Sequence, residues 1–212
     1  MKKIIFWNSV NITKLKHKNI KKNIIFIIFF FIFFVGIIIG AVSESKADDE
    51  LLKKLDFVFL TNFNAKCSQN IFSIFISSFA SVFIFLIVIF LLGLSVWGGI
   101  IVAIIPFFKG YGYGLSVGWL YYTHGFYGII YNILIILPGA FICSAVIIAA
   151  SQEAFKNSLK FMSYLLRSDS SAELHTYTNR FLASMLWCLA LGAVSSLTDM
   201  FFSICFSWIF NF

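Results

Sequence analysis

Long stretches without a charged residue dominate the pattern of this chain. The first apolar run is Ile24–Val42, the second is Ile71–Phe108, and a third follows Lys109 and continues to Ala150. A helix needs about 20 mostly apolar residues to cross the hydrocarbon core of a bilayer. The second run is long enough for more than one crossing. The pattern therefore predicts an all-α integral membrane protein and not a buried soluble core.

The apolar pattern divides into about five transmembrane helices. We predict them at about 24–42, 71–93, 98–122, 126–150 and 181–208. Small residues within 93–99 favour a turn between the second and third spans, and Thr123-His124-Gly125 favours a break before the fourth. Pro138 should kink the fourth span because its ring removes a backbone donor. A re-entrant segment at 94–108 is the alternative at the weakest boundary.

The distribution of lysines predicts the orientation. Seven lysines and no carboxylate precede the first span: Lys2, Lys3, Lys14, Lys16, Lys18, Lys21 and Lys22. The segment 43–70 mixes lysines with carboxylates and suits the outside. We therefore predict a basic cytoplasmic N-terminus at 1–23 and one membrane domain at 24–210, N-in and C-out, with an inside loop at 151–180.

The start of the chain has a second interpretation. Ser45-Lys46-Ala47 before Asp48 resembles the small-residue cleavage site of a secretory signal peptide. The apolar run before it is longer than the usual hydrophobic region of such a peptide, so a retained anchor is favoured. The rest of the predicted topology is the same in either case.

The inside loop carries an amphipathic pattern. Apolar residues recur there at helical spacing: Phe155, Leu159, Met162 and Leu166. The cations Lys156, Lys160 and Arg167 lie outside this apolar stripe. A short amphipathic cytoplasmic helix along the inner leaflet is one interpretation, and an extension of the fourth span is the other. Ser170-Ser171-Ala172-Glu173 fits a capping box that opens the helix of the fifth span.

Composition agrees with a membrane location. Hydrophobic residues make up 60% of the chain, charged residues 12%, and the mean hydropathy is +0.94, which leaves too little polar surface for a soluble globule of 212 residues. Lipids are the expected surroundings, and no nucleic-acid partner is expected. Cysteines and histidines show no metal-site spacing, so we expect neither a metal nor a cofactor.

One motif raises the question of catalysis. Gly114-Leu115-Ser116-Val117-Gly118 matches the G-x-S-x-G pattern of serine hydrolases, in which the serine lies on a turn between a strand and a helix. An intramembrane protease would need a histidine on a neighbouring span to activate Ser116. The candidate, His124, follows on the same helix. We therefore expect no catalytic residue and no enzyme.

The same region predicts close helix packing. Gly110, Gly114 and Gly118 recur at every fourth position, so they share one helix face that another backbone can approach. Gly125, Gly128 and Pro138 are the further packing and turn positions that we expect.

Two ionisable residues fall within predicted spans. They are Lys109 in the third span and Asp199 in the fifth. An unpaired charge inside a bilayer costs at least about 2.5 kcal/mol. We therefore expect these two residues to pair or to face a wet cleft, and the cleft would favour transport.

The region around the glycines resembles a known family. The stretch 107–120 (FFKGYGYGLSVGWL), followed by Gly125-Phe126-Tyr127-Gly128 and Leu137-Pro138-Gly139, is similar to the stage II sporulation protein M family. The resemblance implies a multi-pass protein of a bacterial plasma membrane that acts in engulfment during sporulation. It would anchor two cell-wall hydrolases, stage II sporulation proteins D and P, at the septum. A transporter subunit that works with an ATPase is the alternative, and homo-oligomerisation stays open.

Overall fold

The computed structural model describes residues 24–43, 71–167 and 171–206, and these ranges contain no strand. The elements are α1 (Ile24–Ser43), α2 (Ile71–Leu94), α3 (Gly98–Val102), α4 (Ile104–Tyr131), a π-helical segment (Asn132–Ile136), α5 (Leu137–Arg167) and α6 (Ser171–Phe206). The all-α fold is confirmed. The N-terminus 1–23, the segment 44–70 with its cleavage alternative, and Ser170 of the capping box lie outside the described residues.

Four helical stretches within the described ranges are long and apolar enough to cross a membrane. They are Ile24–Ser43, Ile74–Leu94, Gly98–Leu166 and Thr176–Phe206. The third stretch has 69 residues, which would extend about 100 Å if it were straight. It is not straight, because the chain turns back on itself at Gly125. The predicted spans 98–122 and 126–150 lie on the two arms of this reversal.

Gly125 makes the reversal by adopting a positive φ of 57°, a conformation that L side chains rarely adopt. Beyond it, Gly128 lies so close to the carbonyl of Leu120 that a Cβ would not fit. Further from the tip, the Tyr113 hydroxyl donates a hydrogen bond of 3.3 Å to Asn132 Oδ1 across the two arms. The Thr123-His124-Gly125 break predicted from the sequence lies at this point.

The long helices alternate in direction. The contacts of Gly36 with Phe107 and of Gly40 with Tyr111 show that α1 runs parallel to the first arm of α4. In α6, Phe181 contacts Gly93 of α2 and Gly192 contacts Val82, so α6 and α2 are antiparallel. The ends of α1 and α6 therefore point to the same side. Which side is cytoplasmic stays a prediction.

The turn between α2 and α3 is held by α5. Ser158 donates to the carbonyl of Ser95 at 2.8 Å and accepts from the backbone N–H of Gly99 at 2.8 Å. Asn157 donates to the carbonyl of Gly93 at 3.0 Å. The backbone groups that the turn leaves unpaired thus find partners on a neighbouring helix. The third span begins here as the separate short helix α3, with α4 following at Ile104.

The structure shows where the predicted amphipathic segment and Pro138 lie in the helices. The amphipathic segment predicted within 151–180 is the C-terminal part of α5 and not a separate helix along the leaflet, which corresponds to the extension of the fourth span. The kink expected at Pro138 stays a prediction; Pro138 is the second residue of α5, and the π-helical segment Asn132–Ile136 ends just before that helix begins. Because proline removes one helical hydrogen bond, a change of helical register next to it is expected.

The main apolar core lies where α2, α5 and α6 meet. Ile89, Ile147 and Ala154 are almost completely buried there. The rings of Phe90 and Phe181 stack with centroids 5.8 Å apart at the end of this core. Many large apolar side chains on the outer surface are exposed, which is the arrangement expected of a bundle surrounded by lipid.

Candidate functional site

A polar cavity lies inside the bundle, between the five long helical segments. Phe33 of α1 is one of the residues that line it. Its polar lining consists of Ser78 and Ser81 from α2, Lys109 and Tyr113 from α4, Ser144 from α5, and Ser195 and Asp199 from α6. Its volume is about 30 Å³. Since a water molecule needs about 10–15 Å³, this space has room for about two or three waters and nothing much larger.

Lys109 reaches the cavity from α4 and is 6% exposed. Its Nζ lies 5.3 Å from the centre of the Phe85 ring, within the range of a cation–π interaction. Tyr113 follows one helical turn later on the same face. The sequence predicted that Lys109 would not face lipid, and the structure places it in the interior.

Asp199 reaches the same cavity from α6. Its carboxylate lies against Gly139 of α5, where the chain leaves no room for a Cβ. One turn earlier, Ser195 donates a hydrogen bond of 2.8 Å to the Gly139 carbonyl. The missing side chain of Gly139 therefore lets α5 and α6 approach and lets Asp199 enter the cavity.

The cavity thus brings together the two ionisable residues that the sequence singled out. Lys109 and Asp199 line the same small cavity, and opposite charges in such a space can lower each other's cost of burial. Their energetic coupling stays a prediction. Gly139 was missed by the sequence analysis. The Pro138-Gly139 pair on a predicted span was the available signal, because glycine beside proline in a membrane helix can mark a close contact.

The predicted glycine face packs on α1 at two of its three glycines. Gly110 lies against the backbone of Phe33, and Gly114 lies against the backbone of Ile37, each without room for a Cβ. The contact is reciprocal, because Gly36 and Gly40 of α1 lie equally close to the backbone of α4. These two glycines form a G-x-x-x-G pair in the first apolar run, a signal that the sequence analysis did not use. Gly118 is half-buried on the same helix.

The hydrolase-like pattern does not assemble a catalytic pair in this structure. Ser116 donates its hydroxyl to the carbonyl of Gly112 at 3.1 Å, a bond along its own helix. His124 lies eight positions further along α4, about 12 Å along the axis, and its ring packs against Trp119. Within the described residues, no three His, Cys, Asp or Glu side chains are grouped in a way that could hold a metal ion.

Comparison with known proteins gives one match. A family model described as stage II sporulation protein M matches residues 27–204. The match includes the glycine contact between α1 and α4, both arms of the Gly125 reversal, and the cavity residues from Phe33 to Asp199. No curated protein and no solved structure matches the chain.

Proposed function

The chain belongs to the stage II sporulation protein M family, and we propose that it is a non-catalytic scaffold that holds peptidoglycan-degrading enzymes at the septal membrane during engulfment. Membership makes it a sporulation-related membrane protein. The proposed partners are stage II sporulation proteins D and P, and the proposed location is the plasma membrane of a bacterium. Both follow from the family resemblance.

The observation that carries the proposal is the backbone contact between α1 and α4. Gly36 and Gly40 on one helix and Gly110 and Gly114 on the other bring the two backbones together. Contacts of this kind fix helices relative to each other, because backbone atoms cannot change rotamer to escape. A rigid α1–α4 pair suits a scaffold, because a scaffold must hold its partner proteins in fixed positions.

The absence of catalysis is part of the proposal. The Ser116 hydroxyl donates to a carbonyl of its own helix, and His124 lies about 12 Å further along the same axis. A serine nucleophile needs a base within hydrogen-bonding distance. Replacing Ser116 with Ala should leave engulfment unchanged. A block of engulfment by this change, in protein that still reaches the membrane, would favour an intramembrane protease.

A pull-down from septal membranes tests the scaffold directly. The full-length chain should recover cell-wall hydrolases, identified by mass spectrometry. If the packed α1–α4 pair holds the hydrolases in place, the variant Gly114→Leu should no longer recover them. Ala190→Val, which adds carbon atoms on an exposed face of α6, is the matched control and should recover them as the wild type does. Failure of the wild type to recover any hydrolase would contradict the scaffold.

The polar cavity supports a second function, a transporter subunit that works with an ATPase. Lys109 and Asp199 lie in the interior, where ionisable residues often mark a substrate or ion pathway. The volume of about 30 Å³ limits any occupant in this conformation to water or a small ion. Recovery of an ATP-binding protein in place of hydrolases from the same membranes would favour transport.

A further inference from the structure

The reversal at Gly125 carries an exposed aromatic surface. Four aromatic residues flank this glycine along the chain, and each is at least 60% exposed: Tyr121, Tyr122, Phe126 and Tyr127. We call these four residues the aromatic tip. Two of the rings precede the reversal and two follow it. No lysine, arginine, aspartate or glutamate occurs between Gly110 and Gln152, so the chain supplies no charged neighbour to these rings on either side.

The helix α6 gives the distance between the aromatic tip and the turn that joins α2 and α3. Phe181 of α6 is level with that turn, because it lies against Gly93 of α2. Phe206 packs against the cluster that contains Leu120 and Tyr131, at the base of the aromatic tip. Phe206 follows Phe181 by 25 positions on one continuous helix, a length of about 37 Å. The turn and the aromatic tip therefore lie at opposite ends of the bundle.

This separation matches the thickness of a bilayer. The hydrocarbon core is about 30 Å thick, and the headgroup regions bring the total to about 40–45 Å. At the turn, Trp97 is 72% exposed, and exposed tryptophans are enriched at the level of the headgroups. With the turn in one headgroup layer, a distance of about 37 Å places the base of the aromatic tip in the opposite layer.

Neither hydrocarbon nor water suits the aromatic tip. A helix that reverses its direction, as α4 does at Gly125, leaves backbone groups without helical partners, and the hydrocarbon core offers them no water. In water, four exposed rings without charged neighbours would leave a large apolar surface hydrated. The headgroup layer meets both requirements, because it supplies hydrogen-bond partners to the backbone and apolar surroundings to the rings.

We propose that the aromatic tip binds the lipid headgroup layer on the side of the membrane opposite to the α2–α3 turn. The rings lie beside the first carbons of the acyl chains, and the hydroxyls of Tyr121, Tyr122 and Tyr127 donate hydrogen bonds to phosphate or ester oxygens of the lipids. This contact holds the reversal at a fixed depth in the membrane. The role goes beyond the scaffold and the transporter and depends on neither.

The depth of the aromatic tip can be measured with a nitroxide at Thr123→Cys. Thr123 is exposed, and its hydroxyl donates to the Trp119 carbonyl of the same helix at 2.8 Å, so the label leaves all four rings in place. Two native cysteines are first replaced by serine, Cys67 and the exposed Cys205, and the other two are buried. The full-length chain is reconstituted in phosphatidylcholine bilayers. Relaxation of the nitroxide by oxygen is compared with relaxation by a water-soluble nickel complex.

Both reagents should relax the label at Thr123→Cys to a comparable extent. Oxygen concentrates among the acyl chains and the nickel complex stays in water, so their profiles overlap in the headgroup layer. A label at Val194→Cys is the control inside the hydrocarbon core. Val194 is exposed on α6 and follows Phe181 by 13 positions, which is about 20 Å from the turn. Oxygen alone should relax the label at this position.

Replacing the rings tests whether they set this depth. With serine at all four positions of the aromatic tip, the label at Thr123→Cys should shift toward water by about 3 Å or more, roughly half of the headgroup layer. Tyr122→Trp with Phe126→Trp keeps rings that favour the interface and should leave the depth unchanged. The label at Val194→Cys should report the same depth in both variants, which shows that the bundle stays inserted.

Four results would overturn the proposal. Relaxation at Thr123→Cys by oxygen alone would place the aromatic tip in hydrocarbon, and relaxation by the nickel complex alone would place it in water. Protection from both reagents would mean that protein covers the tip, either the segment 44–70, a second copy of this chain or another partner. An unchanged depth in an inserted serine variant would show that the rings do not set it. If the serine variant does not insert, the label beside the intact rings still decides the level. Recovery of hydrolases in the pull-down is a separate result and does not enter this test.

Discussion

Replacing Gly114 with Leu should separate α1 from α4. A Cβ at this position would overlap the carbonyl of Ile37 and would lie 2.9 Å from the backbone nitrogen of Ala41. Because backbone atoms cannot rotate away, the two helices must move apart by roughly 1 Å to admit even the single Cβ of an alanine at position 114. Overpacking of this kind costs about 1–3 kcal/mol, and a leucine should lie at the upper end.

The measurement is thermal unfolding of the purified full-length chain in a mild detergent. For a chain of this size, 1 kcal/mol corresponds to a change in Tm of about 2–4 °C. We therefore expect Gly114→Leu to lower Tm by roughly 5–10 °C. Gly114→Ala should lower it by a smaller amount in the same direction, because it adds only the overlapping carbon.

The control is Ala190→Val, which adds carbon atoms on an exposed face of α6. It should leave Tm within about 2 °C of the wild type, because an exposed surface position does not resist the added volume. If Gly114→Leu unfolds at the wild-type temperature, the two backbones are not in contact at this point. The proposed rigid packing of α1 on α4 would then be refuted.

The remaining predictions concern the interior and the turn. Replacing Lys109 with Met or Asp199 with Leu should each destabilise the chain by at least about 2.5 kcal/mol, whereas the double change should cost less than the sum in a double-mutant cycle. Additive costs would mean that the pair is not coupled. Gly139→Ala should displace Asp199 and abolish that coupling, so an intact coupling energy in this background would contradict the role of Gly139. Ser158→Ala should lower the unfolding free energy by about 1–3 kcal/mol and speed amide exchange in the α2–α3 turn, and unchanged exchange would show that the turn does not depend on Ser158. A reporter fused to the C-terminus should be active only outside the cytoplasm, and a cytoplasmic signal would rule out five spans.

Much of the fold was predictable because a membrane imposes length and polarity on each helix. A run such as Ile71–Phe108 is too long for one crossing, and the reversal at Gly125 follows from a local break in the apolar pattern. The extension of α5 to Arg167 was one of two open interpretations. Amphipathic spacing alone does not distinguish a helix that lies on a leaflet from one that leaves the membrane.

The candidate site was only partly predictable. Lys109 and Asp199 were visible as charges in apolar runs, and the Gly110–Gly118 spacing indicated a packing face. The partner of that face was not visible, although Gly36 and Gly40 carry the same spacing in α1. Gly139 was also missed, because its role depends on a carboxylate sixty residues later in the chain.

The sequence by itself determined that the chain is a helical membrane protein, approximately where its helices run, and which residues would be costly to expose to lipid. These properties depend on local composition, because the preference of a residue for lipid or water does not depend on which residues contact it in the fold. The tertiary structure decided that α1 covers the glycine face of α4. It also decided that Gly139 admits Asp199 to the cavity of Lys109, and that α5 continues to Arg167 beyond the turn between α2 and α3. These depend on contacts between residues far apart in sequence, and no local pattern specifies which two helix faces meet.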